Sequence, residues 1–344
     1  MIIVPRLPPD FPFESEDLVY KVDKIETNPN WGYWPEKRPI EEHIRFGVIN
    51  LDKPPNLTSH EVSAYIAKLL GLKKVAHGGT LDPGVSGVLP IALERATPIA
   101  RTWLPSNKIY VVAMRLHKSV DEERVKKILK EFEGPIYQRP PLRSAVVRRT
   151  RIRHIYKIEF LEMSSRDVLF IVHCQAGTYM RKLCTDIGDI LGVGAHMIDL
   201  RRLKSGPFVE DDTLRTLQDL VDAWALYKEE GNEKALRDVI LPAEVGILHL
   251  PRIIINDGAV GALTYGAQLY IPGIVAFSQK IKKGDLVAIL TVKGELVGLG
   301  KTLLDSQEIE KREKGQVTED TRILMPRALY PPMWKKKSAQ TSED

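Results

Sequence analysis

With 344 residues, 43% of them hydrophobic and 28% charged, the chain is long enough for two or three domains and for a core built without disulfides or a structural metal. Those values exclude disordered, collagen-like and low-complexity chains, and the two cysteines, Cys174 and Cys184, are too few for a disulfide scaffold and lack zinc-ligand spacing. A net charge of +5 is too mild to name a partner, so the distribution of charge carries more information than its sum.

No apolar run approaches the roughly 18 residues of a membrane span. Met1 to Asp10 holds proline and a carboxylate where a signal peptide needs an apolar stretch, so the expectation is a soluble protein of a reducing cytosol. Residues 1–45 carry six Lys/Arg against nine Asp/Glu, are rich in proline and aromatics (Trp31, Trp34, Pro35, Pro39), and read as an extended arm packed on another part of the chain. From Phe46 the pattern changes to a short strand, Gly47 to Leu51, a turn through Pro54-Pro55-Asn56, and a helix. That helix has a capping box, Thr58-Ser59-His60-Glu61, apolar positions Val62, Ile66, Leu69 and Leu70 at helical spacing, and a stopping Gly71.

A glycine-dense loop follows, from His77 to Gly87, too polar and kinked for a core strand, leading into the apolar Val88 to Leu93. Ile109 to Leu116 reads as a strand with Tyr110, Val112, Met114 and Leu116 on one face, and Asp121 to Phe132 as a capped helix closed by Gly134. The 21 residues from Gln138 to Ile158 carry Arg139, Arg143, Arg148, Arg149, Arg151, Arg153 and Lys157 and no carboxylate. Like charges at this density repel one another, which points to an external anion, a phosphodiester backbone above all. Pro140-Pro141 makes the segment a loop or hairpin. Ile152 to Leu161 and Val168 to Gln175 read as strands, and Thr178 to Leu191 as a helix with Met180, Leu183, Cys184, Ile187 and Leu191 buried and Arg181 turned away.

Strands mixed with helices in no regular alternation predict an α+β fold. An acidic, helix-prone run, with four Lys/Arg against ten Asp/Glu over residues 210–244, precedes a boundary near Leu250-Pro251. Beyond it, Gly284 to Val292 and Glu295 to Gly300, joined at Lys293-Gly294, signal a hairpin in a small β domain. The tail from Lys335 is polar.

Read residue by residue, the candidate chemistry has two sides. Asp82-Pro83-Gly84 is ordinary turn chemistry, or a carboxylate that flexible glycines bring close to a ligand. His77 is a structural histidine or a phosphate contact; Tyr110 is a core residue or a stacking platform; Arg181 is a surface residue or the partner of a carboxylate. There is no Walker loop, G-x-S-x-G elbow, H-E-x-x-H motif or dinucleotide fingerprint.

Four ordered motifs resemble those of the TruB-type pseudouridine synthases: Leu51-Asp52-Lys53-Pro54 with Thr58-Ser59-His60; Gly78-Gly79-Thr80-Leu81-Asp82-Pro83 with Ser86-Gly87-Val88-Leu89-Pro90; Gly177-Thr178-Tyr179-Met180-Arg181; and Leu200-Arg201-Arg202 before Ser205-Gly206-Pro207-Phe208. Trp31-Gly32 through Ile44 is similar to the N-terminal extension of dyskerin, and Pro251 to Met325 resembles a PUA RNA-binding domain. The length, without long basic tails, resembles that of the archaeal dyskerin homologues, catalytic subunits of H/ACA guide ribonucleoproteins.

The resemblance implies a mixed-sheet catalytic domain over 46–249, a β-barrel-like PUA domain over 250–330, a 1–45 extension packed on the latter, and a polar tail over 331–344. It implies conversion of uridine to pseudouridine without cofactor or metal, Asp82 acting on the ribose from a dry pocket, Arg181 pairing with it, and Tyr110 stacking on a flipped base with Leu200 beside it. His77, Tyr179, Arg143, Arg148 and Arg149 would contact the substrate strand. The implied partners are an H/ACA guide RNA, an rRNA or tRNA substrate and small ribonucleoprotein subunits, in the archaeal cytoplasm and away from membranes; the alternative is a guide-independent synthase acting on the tRNA T-loop.

Overall fold

The computed structural model describes residues 17–139 and 149–332, which form two compact units, one of residues 40–246 and one that combines the chain up to Pro39 with the chain from Ile247 onward. Arg143, Arg148 and the tail from Lys335 lie outside the described residues.

The larger unit is built on a mixed sheet. Its strands run, in spatial order, Leu241–Pro242, Gly47–Lys53, Ser86–Leu93, Ala195–Ser205, Lys108–Leu116, Asp167–Cys174, Arg151–Ser164 and Gly134–Gln138; Val75–His77 pairs with Ser86–Leu93, and Phe208–Val209 with Ala195–Ser205. Ser86–Leu93 and Ala195–Ser205 are parallel neighbours, and the other pairs are antiparallel. Alternation decides which face is buried. Val112, Met114 and Leu116 on one strand and Val168, Phe170, Val172 and Cys174 on its neighbour all turn to the core. A side chain of this kind contributes roughly 1.5–3 kcal/mol on full burial.

Helices cover that face. The Ser59–Leu70 helix begins as its sequence dictates, with Thr58 Oγ1 accepting from Glu61 N at 3.1 Å and Glu61 Oε2 accepting from Thr58 N at 2.7 Å, and ends at Gly71 in the left-handed region. The Met180–Leu191 helix buries Leu183, Cys184, Ile187 and Leu191. It lies so close to the strand beginning at Ala195 that a Cβ on Gly188 would stand 2.1 Å from Ala195 N.

The 11-residue strand Ala195–Ser205 escapes a reading of the sequence although it runs through the middle of the sheet. His196, Asp199, Arg201, Arg202 and Lys204 give it the composition of a surface loop. Its centre is held by partners far away in sequence, Val112 opposite Leu200 and Tyr110 opposite Arg202.

In the second unit a six-stranded mixed sheet runs Leu18–Tyr20, Ile274–Ser278, Arg252–Ile255, Leu286–Thr291, Leu296–Thr302 and Thr318–Ile323. The hairpin across Lys293-Gly294 forms, with Ile289 opposite Gly298. The N-terminal arm adds an edge strand, Leu18 to Tyr20 against Ser278 to Ala276, and is then fastened by buried charge. Lys293 Nζ donates to the carbonyls of Asn28, Pro29 and Trp31, and Glu295 accepts from Tyr33 N at 2.8 Å and from the Tyr330 hydroxyl at 2.8 Å. Burial and the Glu295 carboxylate push the Tyr330 phenol up, so it remains a donor.

Candidate active site

The loop between Val75–His77 and Ser86–Leu93 carries Asp82, and its shape is set from below by buried polar groups. Leu81 and Val85 are buried on either side of Asp82, whose own side chain faces outward. Ser59 Oγ accepts from Leu81 N at 2.9 Å and donates to Leu81 O at 3.2 Å. Lys53 Nζ donates to the carbonyls of Pro54 at 2.8 Å, Pro83 at 3.1 Å and Val85 at 2.8 Å. Arg202 donates from Nε to Val88 O at 2.8 Å and from Nη2 to Gly79 O at 3.1 Å, and stands opposite Tyr110 in the sheet. A tight turn, Val85 N to Asp82 O at 3.0 Å, completes the loop, so both readings of Asp-Pro-Gly hold at once.

Lys53 and Arg202 are 0% and 1% exposed, and among the described residues neither has a carboxylate in ion-pair contact. Each neutralises its burial with backbone carbonyls instead, an arrangement that fixes those carbonyls firmly because an unpaired buried charge is so costly. Burial lowers the pKa of both; for Lys53 the Arg202 charge lowers it further, and Asp82 and Glu61 act in the opposite direction. Arg201, next in the strand, faces the other way and grips Asp52 with two bonds of 3.0 and 2.9 Å. Gly87 is obligatory here, with φ +100° and an imagined Cβ 2.3 Å from Arg202 O.

Opposite the loop, the Met180–Leu191 helix starts without a side-chain cap and with no acidic residue in its first turn. From that turn Arg181 Nη2 reaches Asp82 Oδ2 at 2.8 Å. The side chains remain 62% and 54% exposed, so the dry pocket implied by the resemblance is not formed by this chain alone. The helix start is positioned by Gln138, whose carboxamide accepts from Tyr179 N at 2.9 Å and donates to Tyr179 O at 3.1 Å, and by Arg153, whose guanidinium lies against Gly177.

The structure also draws Tyr110, Leu200 and His77 toward this loop. Tyr110 is half-buried and stands diagonally across the sheet from Leu200 on the same face. Burial pushes its phenol up, against an opposing effect of Arg202. His77 is half-buried with its ring 5.8 Å from that of His60; burial, His60 and Arg202 lower its pKa, so it is neutral at neutral pH. Tyr179 occupies the N-cap position of the helix, two residues before Arg181. Arg149 is exposed where the described chain resumes.

Lys53, Ser59, Arg202 and Gln138 were not legible as site residues. Each acts through backbone groups remote in sequence; the motifs contain Lys53, Ser59 and Arg202 without showing this role, and Gln138 carries no local sign.

Comparison with known proteins agrees with this construction. Four family models match: the DKCLD (NUC011) domain over residues 13–63, the N-terminal domain of TruB family pseudouridylate synthase over 67–180, the tRNA pseudouridylate synthase B C-terminal domain over 181–247, and the PUA domain over 251–324. A protein of Pyrococcus abyssi named probable tRNA pseudouridine synthase B is 56% identical, covering 93% of this chain and 96% of its own length; one of the same name from Methanocaldococcus jannaschii is 49% identical, covering 94% and 96%. Among solved structures, a chain from a Cbf5-Nop10-Gar1 complex matches with a TM-score of 0.88 and 55% identity over 94% of this chain and 98% of that one. A chain from an H/ACA RNP bound to a substrate RNA containing 2′-deoxyuridine matches with a TM-score of 0.88 and 53% identity over 92% and 97%. No helix among the described residues is long and apolar enough to cross a membrane. Similarity of this degree across nearly all of both chains, in a molecule whose motifs meet around one aspartate, is decisive: the chain belongs to the TruB family of pseudouridine synthases.

Proposed function

We propose that this chain is the catalytic subunit of an H/ACA guide ribonucleoprotein that converts selected uridines of rRNA, and of tRNA, to pseudouridine in the archaeal cytoplasm, with Asp82 as its catalytic carboxylate. The observation that carries the reading is the Asp82–Arg181 pair, held at 2.8 Å above a loop locked by Lys53, Ser59 and Arg202.

The reaction conserves atoms. The N1–C1′ bond breaks, the uracil turns, a C5–C1′ bond forms, C5 gives up its hydrogen and N1 gains one. Arg181 engages Oδ2 of Asp82, whose half-exposed carboxylate is presented to the ribose. A stacked base cannot turn, so the uridine is flipped out at a cost of about a few kcal/mol, part of which stacking on Tyr110 returns. Leu200 packs beside it, and Tyr179 and the neutral His77 line the strand. The RNA itself supplies the cover that the exposed pair lacks, expelling water and strengthening the field of Arg181 on the carboxylate. Arg143, Arg148 and Arg149 hold phosphates, while pairing to the guide reads sequence. The PUA domain holds the guide near its ACA end.

Support for guide direction comes from the similarity to chains solved in a Cbf5-Nop10-Gar1 complex and in an H/ACA RNP with substrate RNA. A second reading, a guide-independent synthase of tRNA, is favoured by the name shared by the curated relatives. Carbodiimide primer extension separates them. The chain with its small subunits and a matched guide is expected to give a stop on an rRNA fragment that needs the guide; a stop confined to tRNA, and indifferent to guide, would establish the second reading instead.

A further inference from the structure

We propose that Gln138 is a positioning residue for the isomerisation: its carboxamide sets the start of the Met180–Leu191 helix and thereby the approach of Arg181 to Asp82. This rests on the reading of Asp82 and Arg181 given above.

Gln138 is 1% exposed, at the end of the edge strand Gly134–Gln138. A glutamine in that position can satisfy its amide with any polar neighbour, yet here both ends go to one residue. Oε1 accepts from Tyr179 N at 2.9 Å and Nε2 donates to Tyr179 O at 3.1 Å, so the side chain pairs with residue 179 as a strand neighbour would. Tyr179 is the N-cap of the helix, and its own side chain makes no capping hydrogen bond. An uncapped first turn frays readily, since its N–H groups lack intrahelical partners. Gln138 replaces the missing restraint with one anchored in the sheet.

The turn leading to the helix is fastened to the adjoining strand Arg151–Ser164 as well. Gln175 N donates to His154 O at 2.8 Å, Gln175 Oε1 accepts from His154 N at 3.2 Å, and Thr178 Oγ1 closes back on Gln175 O at 2.7 Å. Those bonds hold the turn at its beginning; Gln138 holds it at residue 179, two positions before Arg181. Because Arg181 is 62% exposed, its packing does not fix its place. The backbone does, and the backbone is held by Gln138.

The test uses the full chain with guide RNA, its small protein partners and saturating target RNA. Single-turnover pseudouridine formation and RNA affinity are measured for wild type, Gln138→Leu and Asp82→Asn, and in a cycle of Gln138→Leu with Arg181→Lys. Gln138→Leu is expected to slow turnover by about 10- to 100-fold, as displacement of a catalytic partner by about an ångström does, with RNA affinity unchanged within about threefold. In the Arg181→Lys background the same substitution is expected to cost little more, because both act on one contact. Should Gln138→Leu not yield folded protein, Gln138→Asn, which keeps the amide but is one methylene short, carries the same expectation. Turnover within twofold of wild type, or an equal penalty in both backgrounds, overturns the proposal. An inactive wild type or an active Asp82→Asn would instead overturn the reading beneath it, and the proposal with it.

Discussion

Arg181 Nη2 stands 2.8 Å from Asp82 Oδ2 while both side chains keep more than half of their surface in water. An ion pair so exposed contributes little to folding, typically no more than about 1 kcal/mol. On the proposed reading, its value is realised when RNA covers it. Arg181→Met is therefore expected to leave the urea midpoint nearly unchanged and to reduce single-turnover isomerisation by about 100-fold or more, the scale of losing one group that stabilises transition-state charge. A fall in both quantities together would mean that the pair is structural.

Lys53 makes the opposite prediction. Its ammonium is fully buried and satisfies three carbonyls around the Asp82 loop. Lys53→Met removes a buried donor shared by three carbonyls, of which Pro83 O keeps a second donor, Asn56 N, a loss on the order of 3 kcal/mol in unfolding free energy. Amide exchange over residues 78–87 is expected to quicken, as the loop loses its floor. Unchanged exchange there would show that Ser59 and Arg202 suffice.

How far the sequence reveals such a site depends on the range of the forces involved. The helix from Ser59 to Leu70 is legible because its capping box, apolar spacing and terminal glycine all lie within 14 residues. The strands from Lys108 and Asp167 are legible by alternation. The strand Ala195–Ser205 is not, since Arg202 and Arg201 are accommodated by Gly79, Val88 and Asp52, more than 100 positions away. Asp82 is ambiguous for the same reason: the turn is local, and Arg181 comes from the far side of the sequence. The four motifs bring these pieces into one reading only through their resemblance to a family. Even so, they mark Lys53, Ser59 and Arg202 without saying that these hold carbonyls in place.

Lys108 gives a pH test. Burial lowers its pKa from 10.5 to about 8, with Arg202 adding to the effect, while its ammonium donates to Trp103 O and Ser106 O. Between pH 8 and 10.5 the unfolded chain binds more protons at this site than the folded one, so the lysine's contribution to stability rises with pH across that window and is lowest below it. The unfolding free energy of wild type minus that of Lys108→Met is expected to climb over this range by up to roughly 3 kcal/mol. A flat difference would show that the lysine titrates normally.

In the second unit, Lys293 holds the arm by three backbone carbonyls, those of Asn28, Pro29 and Trp31. Lys293→Met is expected to release the arm locally and to speed tryptic cleavage after the exposed Lys24, because protease attack tracks the population of opened chain. Cleavage at the wild-type rate would place the arm's restraint in its edge strand and in Lys21, which donates to the carbonyls of Ile309, Glu310 and Arg312.

On the proposed reading, Asp82 performs chemistry on a uridine that the rest of the site only holds. Release of tritium from RNA labelled at C5 of uridine reports that chemistry directly, because C5 must give up its hydrogen when it bonds to C1′. With the assembled complex and matched guide, wild type is expected to release the label at the target uridine, and Asp82→Asn to bind the same RNA with the same affinity and release none. Tritium release by Asp82→Asn at the wild-type rate would contradict the account.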